Sequence, residues 1–160
     1  MNPADNRFPR RPLRLERVFA KHRSFYFVTF NTSERLPILD REEVHDAFCN
    51  FSHKAHEQYD VAIGLYVIMP DHIHLFVALP LTGIALSRWI QSLQNILGKA
   101  LLRLGFQKPH WQEGFFDHLL RNADSYSDKW DYVRMNPVRA ALCKEPEDWT
   151  YQGEIVSVRY

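Results

Sequence analysis

The chain predicts a ferredoxin-like α+β sandwich, βαββαβ in order, with an antiparallel sheet, both helices on one face and an added C-terminal helix. Three observations lead there. Hydrophobic patterning alternates between β-prone runs and 3.6-residue periodicity in the order strand, helix, strand, strand, helix, strand. The two middle strands are separated only by Pro70-Asp71, a turn-forming pair in which proline fixes φ and aspartate bonds nearby backbone. With 160 residues, 46% hydrophobic and 24% charged, the composition is that of one globular domain with a real core.

Residues 1–23 form a basic arm before a single domain over 24–160. The arm carries Arg7, Arg10, Arg11, Arg14, Arg17, Lys21 and Arg23 against Asp5 and Glu16, with prolines at 3, 9 and 12 keeping its first half extended. A net charge of only +1 would argue against a nucleic-acid partner if it were spread evenly, but the arm holds this excess of cations, which suits phosphates. A merely solubilising tail is the competing reading.

Ser24 to Thr32 is aromatic and β-branched, hence a strand. Asp40 then caps a helix, with Glu43 completing a capping-box-like pair, and Val44, Ala47, Phe48, Phe51 and Ala55 mark its buried stripe. His45, His53 and His56 fall on its solvated surface. The hairpin Leu65 to Val77 follows. His72 and His74 open its second strand, where alternation points both imidazoles to one face beside the turn. Most His-x-His pairs on strands are hydrogen-bonded or solvated. This pair interrupts an apolar run at a strand end, which makes it a two-nitrogen platform for a divalent metal.

Residues 83–105 carry the second amphipathic helix, with Leu86, Trp89, Ile90, Leu93, Leu97, Ala100, Leu101 and Leu104 as its apolar stripe. No acidic residue occurs between Asp71 and Glu113, so the polar face, including Lys99 and Arg103, can approach a polyanion without repulsion. Phe115 to Arg121 is the last core strand. Trp111 before it anchors the loop in the core, with base stacking as the alternative. On the final helix, Tyr126, Trp130 and Val133 form the buried stripe, while Lys129, Tyr132 and Asn136 line a neighbouring face. Asn136-Pro137 is also the pattern of a capped helix start, so one side-chain oxygen serves either a cap or a ligand. Glu154 to Val158 makes a final short strand or ordered tail.

Cys49 and Cys143 lack C-x-x-C spacing, which argues against a disulfide framework or thiolate site. There is no signal-type apolar region and no run of membrane-spanning length, so the expected compartment is the cytosol, with no membrane partner.

Met69 to Leu75, Trp111 to Asp117 with Arg121, and Tyr132 to Leu142 together resemble three ordered motifs of the insertion-sequence 200 type transposases. The likeness is closest to their single-copy relatives, the repetitive-palindrome (REP)-associated tyrosine transposases. It spans roughly residues 24–152, with Ala141 standing where glycine is usual. The resemblance implies the same fold and a single-stranded DNA nuclease and strand transferase. Tyr132 would attack to leave a 5′-phosphotyrosine and a free 3′-hydroxyl on palindromic hairpin DNA. His72 and His74, with the Asn136 carbonyl as third protein ligand, would hold Mg²⁺ or Mn²⁺. Arg10, Arg11, Arg14, Arg17, Lys99, Arg103 and Lys129 are the expected nucleic-acid contacts, in a monomer or homodimer. Two other classes stay open: a decayed module that only grips hairpins, and a metal-dependent hydrolase using water.

Overall fold

The structure is a computed structural model that describes residues 17–81 and 83–160. Its main sheet runs β5-β2-β4-β3-β6, built from β2 (Arg23–Asn31), β3 (Ala62–Ile68), β4 (His72–Pro80), β5 (Phe116–Leu119) and β6 (Gln152–Glu154). Every pairing in it is antiparallel. The four strands expected from sequence take the order fourth, first, third, second, as a ferredoxin-like sheet requires. A separate parallel pair joins β1 (Arg17–Phe19) to β7 (Ser157–Arg159).

Register decides what lies on each face. Tyr66, Leu75 and Val28 are cross-strand partners and turn to the side covered by α1 (Glu42–Tyr59) and α2 (Leu86–Arg103). Phe48 of α1 stacks at 4.5 Å on Tyr66, and Phe51 meets Trp89 of α2 at 5.7 Å. The alternate residues Phe25, Phe27, Thr29, His72, His74 and Phe76 turn the other way. That face receives α3 (Ala123–Val133), whose Tyr126 ring sits edge-on to Phe25 and Phe76. A bulge between Ile63 and Tyr66 lets β3 keep Ile63 and Tyr66 on one face although they are three residues apart.

Several sequence expectations need correction. Helix α1 starts behind Arg41, with no side-chain cap, because Leu39 N–H is already bonded to Pro70 O at 2.9 Å and Arg41 N–H to Leu39 O at 2.8 Å. Asp40 therefore precedes the helix rather than capping it. His45 is buried, not solvated: its Nε2 lies 2.7 Å from the hydroxyl of Tyr66 on β3. The end of the basic arm belongs to the fold, since Arg17 opens β1 and Arg23 opens β2 and pairs with Asp60 at 2.6 Å. The tail contributes two strands, of which β6 extends the main sheet beyond β3. Among the described residues no helix is long and apolar enough to cross a membrane.

Gly153 lies directly opposite Tyr66 in the β3–β6 pair, and a Cβ there would sit 2.8 Å from the Tyr66 hydroxyl oxygen. Tyr66 is only 3% exposed and bonded to His45, so it has nowhere to retreat. Gly153→Ala is expected to lower stability by about 2–3 kcal/mol, seen as a melting temperature roughly 5–10 °C lower. An unchanged melting curve would mean that the ring swings aside freely.

Past the short α4 (Asn136–Arg139), Ala141 adopts φ 58°. Ala141 N–H bonds Val138 O and Leu142 N–H bonds Pro137 O, both at 2.9 Å, which is the Schellman closure that glycine favours. This accounts for Ala141, which stands where the resembled motif has glycine, as a strained backbone position. Ala141→Gly should stabilise by about 0.5–1 kcal/mol, raising the melting temperature by roughly 2 °C. A fall would show that the extra freedom of the unfolded glycine outweighs the relief.

Candidate active site

Each imidazole of the β4 pair is held by its Nδ1. His72 Nδ1 lies 2.7 Å from Asp71 Oδ1, and His74 Nδ1 lies 2.6 Å from Oγ1 of Thr29, its register partner on β2. A carboxylate only accepts, so His72 carries its proton on Nδ1 and leaves the Nε2 lone pair free. The Thr29 hydroxyl can accept as well as donate, so its bond to His74 Nδ1 permits the same tautomer without selecting it. The two rings are 4.7 Å apart between centroids and inclined at 81°.

Asp71 is fixed in turn by Arg35, whose Nε donates to Asp71 Oδ2 at 2.8 Å and whose Nη1 donates to Asn31 Oδ1 at 2.7 Å. Arg35 and Glu34 both have positive φ, 56° and 54°. That turn costs non-glycine residues of order 1 kcal/mol each, and it delivers the guanidinium to the start of β4. Burial would raise the Asp71 carboxyl, but the bond to His72 and the Arg35 charge hold it below its usual range. Burial lowers His72 in spite of Asp71. For His74, burial and then the charges of His72, Arg35 and Arg139 push the ring down to about 3. Both imidazoles are therefore neutral at physiological pH, the form in which they ligate metals.

Helix α3 brings the tyrosine. Asn122 caps it by accepting from Ser125 N–H at 2.8 Å, and Tyr126, Trp130 and Val133 seat it on the sheet. Tyr132 points off that stripe and is 66% exposed. With Lys129 it lines a cleft of about 490 Å³ whose sheet side is formed by Phe27, Thr29 and His74 and whose β5 side is formed by Phe116. Tyr132 and His74 thus share one cavity, although they are 58 residues apart in sequence.

Arg139 was not singled out by sequence reasoning, yet it ties the site together. Its guanidinium carbon lies 4.1 Å over the Tyr132 ring, and its Nη2 donates to Tyr132 O and, at 2.9 Å, to Asn136 Oδ1. Helical spacing could not have found it, because α3 ends at Val133 and Arg139 lies at the end of the separate α4. Asn136 is not a cap, since Met135 precedes α4 and no side chain caps it. Its amide oxygen accepts from Arg139 and retains a second lone pair.

The expected nucleic-acid contacts divide. Lys129 lines the cleft, with Nζ 5.2 Å over the Phe27 ring. Lys99 and Arg103 are exposed on α2, across the sheet from Tyr132. Arg17 lies in β1, while Arg10, Arg11 and Arg14 fall outside the described residues, as does the arm over 1–16. Trp111 is an anchor: its indole N–H donates to Gln94 O at 3.0 Å and its ring meets Phe30 edge-on.

Two neutral imidazoles engaged through Nδ1 are a donor pair that fits a divalent ion, Mn²⁺ better than the oxygen-preferring Mg²⁺. Among the described residues no group of three or more His, Cys, Asp or Glu could hold a metal.

Fold and site together define a ferredoxin-like protein with paired histidines and a helix-borne tyrosine on the face of the sheet opposite α1 and α2. The family described as Transposase IS200 like matches residues 20–134, and the chain belongs to it. It is 30% identical over 90 residues to the REP-associated tyrosine transposase of Escherichia coli K12, covering 56% of this chain and 52% of that protein. It is 28% identical over 107 residues, 61% of each chain, to a candidate REP-associated tyrosine transposase of Haemophilus influenzae. The chain thus spans between half and two thirds of the length of these curated relatives. Among solved structures, it resembles the REP-associated tyrosine transposase bound to a REP hairpin, with a TM-score of 0.63 and 23% identity over 89% of this chain and 79% of that one, a likeness of fold.

Proposed function

We propose that this protein is a single-stranded DNA nuclease and strand transferase that grips a palindromic hairpin and cuts beside it through Tyr132. The observation that carries the reading is the cleft shared by the exposed Tyr132 and the neutral, Nδ1-anchored His74. Kinship with transposases, one of them solved on a REP hairpin, supports hairpin DNA as the partner.

In this reading the Tyr132 hydroxyl oxygen attacks the phosphorus and gives up its proton to solvent. A 5′-phosphotyrosine forms, and the departing 3′-oxygen takes a proton to become a hydroxyl, so bond energy is conserved for rejoining. Arg139 orients the tyrosine ring and lends positive charge beside it. Asp71 keeps His72 in the tautomer with Nε2 free, and Thr29 holds the His74 ring in place through Nδ1. A divalent ion held by His72 and His74, with the Asn136 amide oxygen, would supply charge neutralisation at the phosphoryl oxygens.

The test is incubation of the protein with labelled single-stranded hairpins and Mn²⁺, followed by denaturing electrophoresis. A denaturant-stable protein–DNA adduct is expected. Efficient cleavage without any adduct would replace strand transfer by hydrolysis, and binding without cleavage would leave a hairpin-gripping module.

A further inference from the structure

The cleft beside Tyr132 is more apolar than phosphodiester chemistry requires. Phe116 of β5 is 57% exposed, an unusual state for a phenylalanine beside a site, and its ring meets that of Phe27 at 6.4 Å. Phe27 is itself stacked on His74, with centroids 5.5 Å apart and planes within 20°. Phe27 is 7% exposed, with His74 stacked on it and Lys129 Nζ 5.2 Å over its ring, so the exposed phenylalanine ring that borders the cavity beside Tyr132 is that of Phe116. The cavity's charge is balanced, because Lys129 is matched by Asp128. Away from Tyr132 and His74, where the scissile phosphate would sit, a second phosphate would meet the Asp128 carboxylate and one lining cation, Lys129. A flat, uncharged heterocycle would meet the exposed Phe116 ring, and about 490 Å³ accommodates it with its sugar.

We infer that this cleft is a nucleobase slot: it takes the base of one nucleotide flanking the scissile phosphate by stacking on the exposed ring of Phe116. The inference rests on the proposal that Tyr132 is the nucleophile, since that is what makes the neighbouring nucleotide the occupant. Seating one base fixes the strand's register relative to Tyr132, so the slot chooses which phosphate is cut. Lys129, above Phe27, reaches the backbone of the same nucleotide from the rim.

The experiment pairs protein variants with substrate variants. Hairpin substrates are made with an abasic site at each flanking nucleotide in turn, and with 2-aminopurine at the same positions. They are offered to the wild type, Phe116→Ala and Phe116→Trp. At one position the abasic site should weaken wild-type binding and cleavage roughly ten- to a hundredfold, the scale of one lost base–aromatic stack, and should cost Phe116→Ala nothing further. 2-Aminopurine there should be quenched on binding without added metal, with the quench lost in Phe116→Ala and kept in Phe116→Trp. Phe116 lies exposed on an edge strand, so both variants should melt as the wild type does.

Additive losses at every position, or no quench that depends on residue 116, would overturn the slot even if the tyrosine adduct forms normally. If no adduct forms but a single position shows the Phe116-dependent quench, the slot stands and the nuclease reading fails.

Discussion

Replacing Tyr132 by phenylalanine leaves a protein that folds and grips the hairpin but forms no adduct, with cleavage reduced on the order of 10⁴-fold or more, as when an enzyme loses its nucleophile. The structure explains why so small a change is clean. Tyr132 is 66% exposed, so no packing depends on its hydroxyl. The Arg139 guanidinium rests on the ring, which phenylalanine keeps, and Nη2 bonds the backbone oxygen, which is unaffected. Denaturing gels with labelled hairpins provide the measurement, and peptide mapping of the wild-type adduct should find the nucleotide on the peptide containing Tyr132. Cleavage by the phenylalanine variant at the wild-type rate would assign the attack to water and remove the tyrosine mechanism.

The second large effect is expected at the histidines. His72→Ala and His74→Ala should each lose cleavage by about 10³-fold or more, and Mn²⁺ titrated into either should remain free by electron paramagnetic resonance while the wild type binds it. The two variants should differ in stability. His74 stacks on Phe27 and bonds Thr29, so its loss opens a gap and leaves a hydroxyl without its partner, a cost of about 2 kcal/mol. His72 sits nearer the surface, with Asp71 still held by Arg35 after its removal, and its variant should melt close to the wild type. Hairpin affinity in both should stay near the wild-type value, because it rests on contacts to the strand. Variants that bind Mn²⁺ and cut normally would show that the pair has a structural role only.

What was legible in the sequence was whatever depends on local period. Alternation along residues 72–77 placed both imidazoles on one face, and helical spacing separated Tyr132 from Tyr126, Trp130 and Val133; both expectations match the structure. Contacts between segments far apart in sequence were not legible. Thr29 and Arg35 serve His74 and Asp71 from 45 and 36 residues away, and nothing in either neighbourhood announces the pairing. His45, on α1, looked solvated because its partner, Tyr66, comes from strand β3, 21 residues on. The parallel joining of β1 to β7 is the extreme case, made between the two ends of the described chain. Capping failed for a different reason: Asp40 fits the pattern, but the backbone there is committed to the turn after β3.

Phe76 is two residues beyond His74 on the same face of β4, and it is also where α3 rests, with Tyr126 at 4.9 Å and Trp130 at 6.3 Å. The helix that bears the tyrosine and the strand that bears the imidazoles are thus referenced to one side chain. When β4 flexes or the sheet changes its twist, both partners in the chemistry are carried in the same direction, and the separation between them changes far less than the position of either. The site behaves like two instruments bolted to one beam, keeping its alignment while the beam itself moves.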